Sequence, residues 1–210
     1  MSNRKTNGIR RDISMESKSK KLTSKDVITV GALGAIFVVV HLAFMIAGGL
    51  APAFWLSTHL WINIILGPVY VLLVAKTQKK GAVLIVSVLL GLVFTVSSWM
   101  VTVTCVIGGV LAELILAKSQ YKDKKSIFLS YIVFAFGFIG DFLPIWVTKD
   151  SYLQSMIDGG MDAAYVEQLA QLISGPVIAL VILSILIGAV IGFLLGNKLM
   201  KKHFIKAGIA

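Results

Sequence analysis

The sequence predicts an all-α integral membrane protein with six transmembrane helices and both termini on the cytoplasmic side. Three observations predict it. The chain has 210 residues, of which 57% are hydrophobic and only 14% charged, and its mean hydropathy is +0.89. That is more apolar material than one soluble core buries. The apolar residues gather into six runs, at roughly 26–48, 54–75, 81–97, 99–117, 126–147 and 173–199, each close to the ~20 residues needed to cross a ~30 Å hydrocarbon layer. Finally, all but Lys149 of the 20 basic residues precede the first run, follow the second or fourth, or lie at or beyond the end of the sixth. Six crossings put them all on one face, and the positive-inside rule makes that face cytoplasmic.

The first 25 residues are polar and basic, without the apolar centre and small-residue cleavage site of a secretory signal. They read as a disordered cytoplasmic tail whose charge orients the first span, rather than as a nucleic-acid-binding arm. Residues 26–210 form the membrane domain. On its first span, Gly31 and Ala35 have the spacing that lets another helix approach closely, while His41 lies on a different face. His59, Asn63 and Tyr70 fall within ~40° of one another on the second span.

Glu113, near the cytoplasmic end of the fourth span, is expected to snorkel toward Lys118 or the headgroups. Asp141 lies near the outer end of the fifth span, with Pro144 marking a bend or an end. On the sixth span Gly188, Gly192 and Gly196 leave one face almost bare backbone, which must pack against a partner helix. Trp55, Trp61, Trp99 and Trp146 all fall near the outer boundary, where an interfacial belt is the plain explanation. The inner half looks like nearly pure hydrocarbon.

Residues 148–172 make the one long external connection. Gly159–Gly160 breaks it and residues 162–172 read as a short amphipathic helix, so the segment is expected to be a lid. Because buried polar groups are costly unless partnered, His59, Asn63, Trp99, Asp141, Trp146 and Tyr152 are expected to border one outward pocket beneath it. Two membrane histidines with nearby methionines also admit a haem ligand.

No phosphate-binding loop, zinc pair, nucleophile elbow or paired carboxylates occur in the sequence, and Cys105 is the single cysteine. The expectation is a protein that is not an enzyme and carries no metal or cofactor of its own.

The stretch Leu22–Thr23–Ser24–Lys25–Asp26, the Leu143–Pro144–Ile145–Trp146 end of the fifth span with its Tyr152-containing loop, and the closing Lys201–Lys202–His203–Phe204–Ile205–Lys206–Ala207–Gly208–Ile209 carry a resemblance. Over about residues 22–210 the chain resembles the substrate-binding S components of energy-coupling factor (ECF) transporters, in the MptD or Trep_Strep group. The resemblance implies a six-helix receptor that captures a scarce micronutrient at the outer face. It also implies partners, a transmembrane coupling subunit (T component) and two cytoplasmic ATPases that use the ATP. Gly31 and Ala35 match the small-residue motif by which such proteins contact the coupling subunit, although the usual pattern has alanine at both. The alternatives are a stand-alone secondary transporter or channel, against which there is no repeat between spans 1–3 and 4–6, and an S component whose ligand is haem. A membrane enzyme forms a third class, without a nucleophile or metal motif to support it.

Overall fold

The computed structural model describes residues 21–204. Most of the expected N-terminal tail and the residues after 204 lie outside them. Every regular element among the described residues is helical. Four helices are long and apolar enough to cross a membrane: α1 (Ser24–Gly48), α2 (Pro52–Thr77), α4 (Trp99–Lys118) and α9 (Gly175–Leu199). Between them lie the shorter apolar α3 (Ala82–Val93), prolonged by a 3₁₀ turn over Phe94–Val96, and α5 (Lys124–Phe136). A 3₁₀ segment, Gly137–Asp141, leads from α5 to α6 (Leu143–Val147). Two surface helices, α7 (Lys149–Asp158) and α8 (Ala163–Leu172), precede α9.

The boundaries have local causes. α1 starts two residues before the expected span because Thr23 and Asp26 form a capping box, the Thr23 amide donating to Asp26 Oδ2 at 2.7 Å. Asp26 also pairs with Lys79 at 2.5 Å, which ties the start of α1 to the α2–α3 turn. Gly81, at φ +97°, makes that turn in a conformation that only glycine adopts without strain. Asp123 and Asp162 cap α5 and α8 through their side chains.

The expected fifth span is not one helix. Four residues of its 3₁₀ segment, Gly137, Phe138, Gly140 and Asp141, are buried, the setting in which irregular backbone is tolerated at membrane depth. Packing explains the two glycines. A Cβ at Gly140 would lie 2.5 Å from the Met100 carbonyl oxygen, and Gly137 faces Cys105 and Gly108, so α4 approaches closer than any side chain would permit.

α9 packs along α2 through its glycine face, as the bare stripe required. Gly188 meets Leu60 and Asn63, Gly192 meets Asn63 and Gly67, and Gly196 meets Gly67, Pro68 and Val71. Residue numbers rise together on both helices, so the pair is parallel. Between helices surrounded by lipid, such backbone-to-backbone contact supplies van der Waals attraction that apolar burial alone does not. The outward sides of α1, α4 and α9 expose Ile28, Val39, Ile46, Ile107, Leu114, Leu180 and Leu194, a belt suited to hydrocarbon.

One end of the bundle gathers the start of α1, the α2–α3 turn and the α4–α5 turn, and is rich in lysine. The opposite end carries α6, α7 and α8, and is called the lid end below.

At the lysine-rich end the expectation for Glu113 fails. The side chain turns inward and is buried. Its Oε1 accepts the amides of Val83 at 2.8 Å and Leu84 at 3.3 Å, and its Oε2 accepts the Tyr121 hydroxyl at 2.5 Å. The inner half is therefore not plain hydrocarbon. Tyr70 likewise donates to Ser130 Oγ at 2.9 Å.

Candidate functional site

Two small adjoining cavities lie between the helices toward the lid end. The outer one is lined by His41, Met45, Trp55, Thr58, His59, Ile62, Phe94, Phe138 and Asp141. The inner one is lined by Phe37, His41, Asn63, Leu66, Ser87, Leu90, Cys105, Phe134, Ala135 and Phe138. His41 and Phe138 form the wall they share. Each has room for about one water molecule, so the site is closed in this structure.

The break after α5 organises the outer cavity. In the 3₁₀ segment the Phe142 amide bonds the Ile139 carbonyl, so the α-helical bond from Phe142 to the Phe138 carbonyl gives way to the tighter i→i+3 pattern and that carbonyl can accept a further donor. His59 Nε2 donates to it over a long 3.4 Å. The same break presents Asp141 sideways, only 8% exposed, with Oδ1 accepting the Ser97 hydroxyl at 2.6 Å. That carboxylate is a ready acceptor for a hydrogen-bond donor or cation entering from the lid end.

His41 donates from Nδ1 to the Phe37 carbonyl one turn earlier at 2.8 Å, which places the proton on Nδ1 and leaves Nε2 as the acceptor. The Phe138 ring stands beside both imidazoles, at centroid distances of 4.3 Å from His41 and 5.7 Å from His59. With that ring packed against both, the closed chambers take neither a haem nor any other organic ligand without rearrangement. Although His41, His59 and Asp141 line one chamber, no group of three or more His, Cys, Asp or Glu residues that could hold a metal ion occurs among the described residues.

The segment expected to be a lid is a pair of helices, not the single helix expected, with the break at Gly160 (φ +90°). α8 buries Tyr165, Val166 and Leu169, the apolar side of its amphipathic pattern. The Tyr165 hydroxyl donates to the Gly48 carbonyl at 3.0 Å, tying α8 to the end of α1, and Lys149 Nζ donates to the Ala170 carbonyl at 3.2 Å. Burial first, and then the Asp141 charge, push the Tyr152 hydroxyl above its ordinary ionisation range, and the same two causes act on Tyr165. Both phenols therefore lie within the field of Asp141.

Of the six expected pocket residues, His59 and Asp141 meet in the outer chamber and Asn63 lines the inner one. Trp146 packs part-buried beside Phe142, with ring centroids 6.2 Å apart, and Tyr152 packs part-buried against the core. Trp99 stands apart. It is 65% exposed and lines neither chamber, as expected of a boundary tryptophan. Ser97, Ser87 and Tyr165 were missed as site residues. Ser97 sits in the uncharged turn between two spans, a detectable signal, whereas Ser87 is a lone hydroxyl in an apolar run with nothing to single it out. Gly31 and Ala35 lie on the exposed face of α1, and a Cβ at Gly31 meets nothing within 4 Å.

No curated protein and no solved structure matches the chain. The Trep_Strep family, described as hypothetical bacterial integral membrane proteins, matches residues 24–206. The match runs from the capping box of α1 through both chambers and the lid to the end of α9, and the chain belongs to this family of bacterial integral membrane proteins.

Proposed function

We propose that the protein is the substrate-binding S component of an ECF-type ABC importer, crossing the membrane six times with both termini in the cytoplasm. It captures a small vitamin-like micronutrient at the outer face and delivers it to a T component driven by two ATPase subunits. The observation that carries this reading is the pair of largely apolar chambers, each carrying a few buried polar groups, beneath a latched two-helix lid at the end of the bundle opposite the lysines. A channel calls for an open path, whereas these chambers are closed at about the size of one water. In this reading α3 with its 3₁₀ extension is the short third span, and the broken α5–α6 segment is the fifth. A thinner bilayer or tilted neighbours accommodate the short span.

Capture then has a definite order. Pockets for small organic ligands run to ~300–1,000 Å³, so α7 and α8 must lift and the wall of His41 and Phe138 must give way before the ligand enters. Asp141 and Ser97 meet its polar groups, and closure restores the Tyr165–Gly48 latch. The exposed Gly31 and Ala35 face of α1 is the docking surface for the T component, and its bare backbone admits another helix at close range.

The test is purification from native membranes under mild detergent, followed by mass spectrometry of the protein partners and the retained small molecules. Recovery of a membrane coupling subunit with two ATPases supports the proposal. Substrate uptake by the chain reconstituted alone overturns it in favour of a secondary transporter.

A further inference from the structure

The inner chamber holds two polar atoms without a partner. Asn63 Nδ2 and Ser87 Oγ are both buried and make no hydrogen bond to the protein; their residues are only 7% and 2% exposed and both line this chamber. The same chain shows how such groups are ordinarily satisfied. Thr77, Thr104, Ser130 and Ser184 each donate their hydroxyl to a carbonyl of their own helix, and Asn197 Nδ2 donates to the Phe193 carbonyl one turn back. Ser87 and Asn63 sit in comparable helices and do neither. A buried donor left without a partner is costly, so two on one small cavity form a standing demand for an acceptor.

We propose that the inner chamber is a subsite for a neutral acceptor oxygen, a carboxamide or ketone carbonyl, carried by the captured molecule; this rests on the capture reading above. Asn63 Nδ2 donates and the Ser87 hydroxyl is free to donate, so the chamber offers two donors to an acceptor oxygen. The chamber has no Lys, Arg, Asp or Glu in its lining, and its one imidazole, His41, is engaged through Nδ1 by the Phe37 carbonyl. A carboxylate there would have to draw a proton onto buried His41 Nε2 or lie without a counter-charge, whereas a neutral carbonyl oxygen needs neither. Phe37, Leu66, Leu90 and Phe134 complete the wall, suiting the apolar or aromatic body to which the carbonyl is attached. The ligand class is therefore a small, neutral-headed aromatic or aliphatic carbonyl compound, its head group innermost and its other polar groups toward Asp141.

Thermal unfolding of the purified full-length chain in detergent tests this, with benzamide as the probe and benzoate and benzylamine as charged counterparts of similar shape. Benzamide is expected to raise the Tm saturably and the other two are not. Ser87→Ala removes one oxygen and adds no bulk. It is expected to raise the Tm of the unliganded protein by about 2–4 °C, because an unpaired buried hydroxyl is gone, and to cut the benzamide shift by more than half. Asn63→Leu, of similar size, is expected to behave alike. A Ser87→Ala protein that melts lower than the parent, or benzamide shifts no larger than those of benzoate, overturns the subsite. The importer reading is judged separately by partner co-purification. Failure to recover partners with the benzamide pattern intact removes the importer and leaves the subsite standing.

Discussion

The Glu113 carboxylate on α4 accepts the Val83 amide of α3 at 2.8 Å across a separation of 30 residues. It serves as the N-cap that α3 lacks, because Gly81 at the cap position has no side chain to offer. Val83 and Leu84 carry the amides that an N-cap oxygen ordinarily satisfies, and a carboxylate there also complements the positive end of the helix dipole. Glu113→Ala orphans both amides and the Tyr121 hydroxyl, and is expected to destabilise the protein by about 2–4 kcal/mol. Glu113→Gln keeps an acceptor oxygen and should recover a good part of that loss. Thermal unfolding of the two variants in one detergent provides the comparison.

Tyr121 adds an alkaline limit. Burial first, and then its bond to Glu113, hold its hydroxyl well above the ordinary phenol range. The unfolded chain releases that proton near pH ~10 while the folded chain retains it. Stability from this group is thus fully present below ~10 and declines as the pH rises further. In Tyr121→Phe the decline above pH ~10 should be shallower, while stability at neutral pH falls by about 1 kcal/mol with the lost hydrogen bond. Unfolding midpoints measured from pH 7 to 11 would show both effects, and an unchanged alkaline slope would remove Tyr121 as their source.

Two glycines in membrane helices should respond in opposite ways. A Cβ at Gly192 would overlap the Asn63 carbonyl, so Gly192→Ala pushes α9 off α2 and is expected to cost about 3 kcal/mol or more, the range of overpacked cores. Gly31 has open space around it, and Gly31→Ala should be neutral or stabilise α1 by up to ~1 kcal/mol. Gly31→Leu and Ala35→Leu should leave the purified chain stable and still able to bind ligand, yet abolish recovery of the coupling subunit. Normal co-purification of the leucine variants would make this face merely lipid-facing.

Helices that meet lipid were legible in the sequence because their length is imposed by the bilayer and not by a partner. α1, α2, α4 and α9 lie within a few residues of the apolar runs that announced them. The Gly188, Gly192 and Gly196 stripe likewise declared a close contact, though not that α2 would supply it. The interior was harder to read. Hydropathy is blind to a helix that stays apolar while its hydrogen bonding changes, so residues 126–147 read as one span although Gly137–Asp141 interrupts them. A helical wheel places Glu113 on a face but cannot tell that Val83 and Leu84 wait there as orphaned donors. The lid concealed α7 because its surface position leaves no buried residue to mark a face.

Reporter fusions test the orientation in the membrane directly. With six crossings, a reporter active only in the cytoplasm should work at Lys79 and Lys122 and fail at Asp158. The ion pair of Lys79 with Asp26 keeps the first site at the end where α1 begins, the bonds of Glu113 to Tyr121 and Val83 hold the turn that carries Lys122 beside the start of α3, and the Tyr165–Gly48 bond keeps α8 at the other end. Cytoplasmic activity at Asp158 would invert or reduce the span count.

Ligand capture separates residues that share only an outer position along the chain. Asp141 is buried, accepts the Ser97 hydroxyl and lines the outer chamber, while Trp99 is largely exposed and lines neither chamber. Asp141→Ala removes the acceptor for the ligand and leaves the Ser97 hydroxyl unpaired, so affinity for the co-purifying molecule should fall at least about tenfold, the equivalent of ~1.4 kcal/mol. Ser97→Ala keeps the carboxylate but frees it from the hydroxyl that donates to it, and an intermediate loss of about two- to fivefold is expected if that hydroxyl orients it. Trp99→Ala should change affinity by less than about twofold, since no desolvated contact is lost. Equilibrium binding with the molecule identified by mass spectrometry ranks the three. A Trp99→Ala loss equal to that of Asp141→Ala would mean that the ligand enters along the exposed start of α4 and not between the lid and the broken fifth span.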